Sequence, residues 1–318
     1  MESLQDRRVL VTGSSGFVGR YVLQVLKASG CYTIGLDNRA TPQNPDSLDE
    51  HYLVDLRNKS ELELVLEQAR PAAVVHLAAV HYIPYCNRHP TETFDVNVQG
   101  TANLLEVLRK LGGIERFFLA SSAAVYSPSE TPHSEGDATW PTDIYGFSKR
   151  AAEYLVESWQ EMTGVPVVIG RYFNMYGWGE TSPHIIPVLI KAIEEHKHTV
   201  TLGNVIARRD YVSVMDNATA TVKLLTAKLP WTYTVVNLGS GSSYSVLDLL
   251  GMLGKITSQP LLYEIDTRRM RRNDRPQLCS NMSRFYELGL DMPAYDIYHG
   301  LKDLVETGNG PFVNWDAV

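Results

Sequence analysis

The stretch RVLVTGSSGFVG, Arg8 to Gly19, decides the fold. Its first five residues, Arg8–Thr12, are apolar and β-branched and predict a strand. Gly13, Gly16 and Gly19 follow at G-x-x-G-x-x-G spacing, and an amphipathic helix runs on to about Ser29. Small residues in such a turn let the backbone approach a pyrophosphate. The helix N-terminus adds free N–H donors and a partial positive charge. The spacing departs from G-x-G-x-x-G, but the strand–turn–helix context is the one that gives a glycine pattern its meaning.

Outward from this turn, Tyr32–Asp37 predicts a second strand, with Asp37 placed 24 positions after Gly13 (37 − 13). A carboxylate there accepts from the ribose hydroxyls and repels a 2′-phosphate, which favours NAD. Arg20 and Arg39 lie close by in sequence and suit a 2′-phosphate, which leaves NADP open. Further strands are expected at Tyr52–Asp55, Ala72–Ala78, Arg116–Ser122 and Val165–Arg171. Between them lie a long helix over Thr91–Leu111 and another over Thr142–Met162, with apolar residues at Phe147, Ala151, Leu155, Trp159 and Met162. Strict β/α alternation predicts an α/β fold with a doubly wound parallel sheet. After Tyr176 the pattern loosens. Residues 1–176 are expected to form the dinucleotide-binding domain, and 177–318 mainly a smaller C-terminal substrate-binding lobe, with later segments returning to the first.

Composition narrows the class. The 318 residues carry a net charge of −7, which argues against a nucleic-acid partner. Cys31, Cys86 and Cys279 are far apart and odd in number, so neither a disulfide framework nor a metal site is expected. The N-terminal MESLQDRR lacks the apolar core of a signal peptide, and no apolar run approaches a membrane span. The expectation is a cytoplasmic protein without a membrane partner.

Tyr145-Gly-Phe-Ser-Lys149 is Y-x-x-x-K on a predicted helix, so both side chains share one face. A nearby ammonium favours the tyrosinate and is expected to lower the Tyr145 pKa. The same lysine can bond a nicotinamide ribose. Ser122, ending a predicted strand, can orient a substrate hydroxyl and share its proton. Asn97 starts the long helix and is a candidate for holding a water or backbone near the active site, or for a plain helix-end role.

The chain resembles the extended short-chain dehydrogenase/reductase family, the nucleotide-sugar epimerases and dehydratases with a Rossmann-type fold. The matching stretches are TGSSGFVG at Thr12–Gly19, Asp37, Asp55-Leu56, HLAA at His76–Ala79, NVQGT at Asn97–Thr101 and SSAAVY at Ser121–Tyr126. YGFSK, RYFNMYG at Arg171–Gly177, RRDYVSVMD at Arg208–Asp216 and NLGSGSSYSV at Asn237–Val246 also match, so the likeness covers about Arg8 to Leu290.

The resemblance implies a catalytic set of Ser122, Tyr145 and Lys149, with Asn97 in support. It implies a cofactor set of Gly13, Gly16, Phe17, Val18, Gly19, Asp37, Asn38, Asp55, Leu56, Leu77, Ala78, Ala79 and Tyr172, joined by Tyr145 and Lys149. Asp55 and Leu56 should flank the adenine. It further implies that Ser122, Asn174, Arg209 and Arg271 bind a nucleotide-diphosphate sugar. Arg271 stands three residues before Asp274, in a run that also holds Arg268, Arg269, Arg272 and Arg275. A homodimer through a four-helix bundle of the two long helices is implied as well.

Departures from pattern sort the members. Ala123 and Ala124 stand where sugar dehydratases carry an Asp-Glu pair, and alanine cannot transfer a proton. Asp37 and RRDYVSVMD are similar to UDP-sugar 4-epimerases. SGFVGR and the spacing from Gly203-Asn204 to Arg209-Asp210 are similar to GDP-4-keto-6-deoxymannose reductases. The expected activity is therefore NAD-dependent 4-epimerisation of a nucleotide sugar. The alternatives are an NAD(P)H-dependent 4-keto sugar reductase and a catalytically silent dinucleotide-binding regulator. Ser127 replaces the usual Gly after Tyr126. Tyr82–Cys86 should border the sugar, and His81 and His184 are either extra acid/base groups or ordinary histidines.

Overall fold

A computed structural model describes residues 5–39, 45–270, 274–292 and 295–307. The first half runs β1 (Arg8–Thr12), α1 (Phe17–Ala28), β2 (Tyr32–Asp37), β3 (Glu50–Leu53), α2 (Lys59–Ala69), β4 (Ala73–His76), α3 (Ile83–Arg88), α4 (Pro90–Phe94), α5 (Gly100–Leu111), β5 (Arg116–Ser122), α6 (Ile144–Thr163) and β6 (Val167–Tyr172). The second half runs β7 (Asn174–Tyr176), α7 (Ile185–Glu194), β8 (Thr199–Leu202), β9 (Arg208–Ser213), α8 (Val214–Thr226), β10 (Tyr233–Leu238), β11 (Ser243–Tyr244), α9 (Val246–Thr257), β12 (Leu262–Ile265), β13 (Gln277–Leu278), α10 (Ser283–Glu287) and α11 (Ile297–Thr307).

Seven strands form one parallel sheet in the order β10-β6-β5-β4-β1-β2-β3. The order reverses between β1 and β4, which opens a crevice at their C-terminal ends. Strand alternation covers both faces. Val9, Val11, Phe118, Ala120 and Val168 pack on one side with α1 and α8. Leu10, Phe117, Leu119, Val167 and Ile169 pack on the other with α2, α5 and α6. A third core, around Tyr176, Leu189, Tyr211, Leu249 and Leu301, fills the C-terminal lobe. Among the described residues, no helix is long and apolar enough to cross a membrane.

Three expectations need correction. The long helix is not uniform. A π-turn over Asp95–Gln99 joins α4 to α5 and contains Asn97, which lies inside the rod and not at its start. On α6, only Trp159 of the expected apolar stripe is buried, while Phe147 and Met162 are exposed. The buried face of α6 instead carries Gly146, Ser148, Lys149, Ala152, Glu153 and Val156. Strands β3 and β4 also end earlier than expected, at Leu53 and His76.

Candidate active site

The glycine turn is built by contacts that exclude side chains. Gly13 has φ +70°, and a Cβ there would lie 2.9 Å from the Ala78 backbone. A Cβ on Gly19 would lie 2.2 Å from the Gly13 carbonyl oxygen, so α1 rests directly on the turn. Gly16 caps α1 without any side-chain hydrogen bond, and its own N–H donates to Gly13 O at 3.0 Å. Phe17 and Val18 open the helix, half-buried. The first-turn N–H groups therefore need an outside acceptor. Beside them, the buried Ser14 and Ser15 hydroxyls have no hydrogen-bond partner among the described residues. The Asp37 carboxylate, buried at the end of β2, accepts from Ser15 N at 2.9 Å and from Arg39 N at 3.0 Å. Asn38 is exposed next to it. These features fit a dinucleotide, with the pyrophosphate on the helix end and a ribose beside Asp37.

The two arginines considered for a 2′-phosphate part company. Arg39 stays at the turn, its Nη1 donating to Ser15 O at 3.5 Å. Arg20 is buried and turned to Trp178, whose carbonyl it bonds.

The end of β4 is fixed by a buried relay. The Thr101 hydroxyl donates to Asn97 O at 2.7 Å, so it accepts from His76 Nε2 at 2.9 Å. His76 Nδ1 then accepts from the Thr12 hydroxyl at 2.6 Å. Burial pulls the His76 pKa down to about 3, so the ring is neutral and structural. Leu77 N and Ala78 N donate to Thr12 O and Oγ1, both at 3.2 Å, and Leu77–Ala79 stay half-buried facing the turn. Asn97 clamps the next residue. Its Oδ1 accepts from Val80 N at 2.8 Å, and its Nδ2 donates to Val80 O and Ser148 Oγ, both at 2.9 Å. Asn97 thus holds backbone near the site with both ends of its amide. The Asp55 carboxylate is held by Arg57, and Leu56 is buried in the core with its carbonyl accepting from Asn103.

Ser122, Tyr145 and Lys149 meet at the C-terminal end of β5. The Ser122 hydroxyl accepts from Ala124 N at 3.1 Å. Asp143 caps α6 by accepting from Gly146 N at 2.8 Å, which places Tyr145 in the first turn. A Cβ on Gly146 would lie 2.5 Å from Ala124 O, so the Ser122 loop and the Tyr145 turn are in backbone contact. Lys149 is buried, and its Nζ donates to Ala120 O at 2.8 Å. Desolvation lowers its pKa to about 8. The ammonium lies 6.0 Å from the Tyr145 ring centroid. The expected drop in the Tyr145 pKa is not seen. Burial pushes the phenol above its ordinary value, opposed only by the Ser122 hydroxyl. Tyr145 therefore rests as a proton donor.

A second buried layer supports this set and was not singled out from the sequence. Glu153, one turn beyond Lys149, accepts from Arg171 Nε at 3.0 Å, from Arg171 Nη2 at 2.9 Å, and from the Ser121 hydroxyl. An acidic residue four positions after Lys149 was the available signal, since it shares the buried face. Arg275 is the other omission. It is buried, and it donates to Ala123 O at 3.1 Å and Ala124 O at 2.8 Å, just behind Ser122. Within an arginine run nothing marks it, and Arg268 beside it is exposed on Asp266.

On the substrate side, Asn174 is exposed at the start of β7. Arg209 pairs with Asp274 at 2.6 Å and donates to Arg275 O at 2.9 Å. Arg271 lies outside the described residues. Tyr172 does not serve as expected. Strand alternation turns it into the core against Phe118, and its hydroxyl shares a 2.7 Å bond with Thr221. His184 bonds the side-chain carboxylate of Glu180, and its ring lies 6.0 Å from His81 and 5.8 Å from Tyr82. Desolvation in the cleft wall, then the neighbouring His184, Lys149 and Arg39, lowers the His81 pKa to about 4.

Comparison with known proteins bears on the family and the fold. A profile of the NAD dependent epimerase/dehydratase family matches residues 9–239. A GDP-6-deoxy-D-talose 4-dehydrogenase of Aggregatibacter actinomycetemcomitans is 30% identical over 279 residues, covering 87% of this chain and 89% of that one. A UDP-glucose 4-epimerase of Corynebacterium glutamicum is 30% identical over 277 residues, covering 82% and 84%. The crystal structure of the Thermus thermophilus UDP-glucose 4-epimerase in complex with NAD superposes with a TM-score of 0.83 at 27% identity, covering 93% of this chain and 96% of that one.

Proposed function

The chain belongs to the NAD-dependent epimerase/dehydratase family, and from that premise we propose that it is a nucleotide-sugar 4-epimerase working through Ser122, Tyr145 and Lys149. The observation that carries the reading is the convergence of these three residues, with Ala123 and Ala124 directly following Ser122. An elimination or decarboxylation needs a further carboxylate at that place, and the two methyl groups supply none.

The cleft offers NAD the open N-terminus of α1, the Ser14 and Ser15 hydroxyls, Asp37 and the 77–79 backbone. When bound there, NAD supplies hydride acceptance and return at the sugar C4. The chain's own residues move the proton. Tyr145 rests protonated, so it must first lose that proton to solvent; as the tyrosinate it would take the proton from the C4 hydroxyl during oxidation and give it back during reduction. Ser122 shares the hydroxyl and fixes its direction. Lys149, its ammonium 6.0 Å from the phenol ring centroid, would stabilise the tyrosinate once the phenol proton has left. Arg209 faces the diphosphate end of the substrate through its anchor on Asp274.

Pure protein incubated with UDP-, GDP-, dTDP- and CDP-sugars, with no cofactor added, should invert C4 of one of them by proton NMR. Tyr145→Phe should lower that rate by about 10²–10⁴-fold. Full activity in the Phe variant sinks the mechanism. The second reading, a 4-keto sugar reductase, is favoured by the likeness to the GDP-6-deoxy-D-talose 4-dehydrogenase. NADPH consumption with a 4-keto sugar, and no inversion in the panel, would select it. A homodimer through the α4–α5 rod and α6 belongs to the same reading.

A further inference from the structure

We propose that residues 177–184 are a strap that retains the dinucleotide, and that Arg20, stacked on Trp178, is its latch. The inference rests on the reading of the glycine turn as a dinucleotide site and goes beyond it.

The strap connects β7 to α7 and is fastened at two points. At one end, Trp178 O accepts from Arg20 Nη2 at 2.5 Å and from the Tyr21 hydroxyl at 2.9 Å. The Arg20 guanidinium lies 5.0 Å from the Trp178 ring centroid, 5.1 Å from that of Tyr21 and 5.8 Å from that of Phe17. It also lies flat against Gly179, which has φ +75° and where a Cβ would fall 1.8 Å from Nη2. At the other end, the Ser182 hydroxyl pairs with His81 Nε2 at 3.1 Å, and the His184 ring sits against His81 and Tyr82.

The two anchors straddle the glycine turn. Arg20 and Tyr21 sit in the first turns of α1, directly after Gly19. His81 sits at the end of the loop whose Ala78 backbone is in contact with Gly13. A segment tied to both passes over the C-terminal edge of β1 and β4, where the open helix end would hold a pyrophosphate.

Arg20 is suited to a latch and poorly suited to ordinary packing. It is 8% exposed, its Nε has no partner, and no carboxylate pairs with it among the described residues. A buried cation held by a carbonyl and three rings is costly unless something compensates it. A dinucleotide pyrophosphate beneath the strap provides that charge. Bound anion and latched strap then stabilise one another, so opening the strap is a step in release. An epimerase must keep its cofactor through each cycle, whereas a reductase must exchange it. The latch therefore bears directly on which of these the chain can be.

The test uses NADH itself. Protein loaded with NADH is mixed with excess NAD, and the loss of NADH fluorescence gives the release rate. Arg20→Met and Trp178→Leu should each speed release about tenfold or more, with association changed little. Arg20→Lys should fall between them and the unaltered protein, because it keeps charge but loses the planar stack. Tyr21→Phe removes the second bond to Trp178 O, keeps the core ring, and should speed release by a smaller factor. Thermal melts identify any variant that fails to fold, and the remaining variants then decide. Release rates in the folded variants equal to that of the unaltered protein overturn the latch and leave the dinucleotide site standing. No NADH binding by the unaltered protein overturns both.

Discussion

Lys149 carries a charge that the fold would be more stable without. Its ammonium is buried and bonded to the Ala120 carbonyl, and desolvation takes its pKa from 10.5 to about 8. The charged form is thus disfavoured in the folded state. Between about pH 8 and 10.5 the unfolded chain binds more protons, so stability rises with pH across that window. Below pH 8 the full penalty applies, on the order of 3 kcal/mol from the shift, less about 1 kcal/mol for the bond to Ala120. Lys149→Met should therefore raise the melting temperature of the cofactor-free protein by a few degrees at pH 7. The gain should shrink as pH approaches 10. Turnover should fall at least about 100-fold. A melting temperature that stays level or drops would mean that Lys149 is structural and that its charge is better solvated than its burial implies.

At the scale of elements, the proposed catalysis depends on how closely the end of β5 approaches the start of α6. Gly146 sets that distance, with Ala124 O and Pro141 Cβ at 2.5 and 3.0 Å from where its Cβ would stand. Both the carbonyl and the helix backbone are held, by Arg275 and by the Asp143 cap. Gly146→Ala must push α6 outward, carrying Tyr145 away from Ser122. Overpacking of this kind costs about 1–3 kcal/mol. The turnover number should drop well before KM changes, which steady-state kinetics beside a thermal melt would reveal. An unchanged turnover number would show that the junction yields without moving the phenol.

The same elements show what the sequence could convey. β1, β2 and β5 were legible residue for residue, because each ends at a turn or a polar residue that stops an apolar run. That Tyr145 and Lys149 lie on one side of α6 was legible because i,i+4 spacing fixes a helix face. The π-turn was not, since it answers to a contact with Val80 brought from far along the chain. The exposed stripe of α6 was misread for a related reason. Apolar periodicity identifies a face, but whether that face meets the sheet or looks outward is decided by tertiary contacts.

Over the whole molecule, that outward stripe is the feature still to be accounted for. Phe147, Tyr154 and Met162 follow one another at spacings of seven and eight (154 − 147, 162 − 154) and are 43, 57 and 66% exposed. Phe94, on the neighbouring α4, is 38% exposed. The sheet is already covered on both faces, and the patch lies outside both of its cores, with the Arg150 guanidinium 3.8 Å from the Tyr154 ring centroid. Large exposed apolar patches on otherwise polar surfaces mark association sites. A second copy, related by two-fold symmetry, would lay its own rod and α6 against these and bury the apolar edges of all four helices in one bundle. Sedimentation at micromolar concentration should then give about twice the 35.6 kDa of one chain. Phe147→Glu together with Tyr154→Glu should return the mass to that of one chain with the fold intact, since neither side chain enters the core. A monomeric unaltered protein would leave the stripe without a partner of its own kind and would remove the dimer from the functional reading.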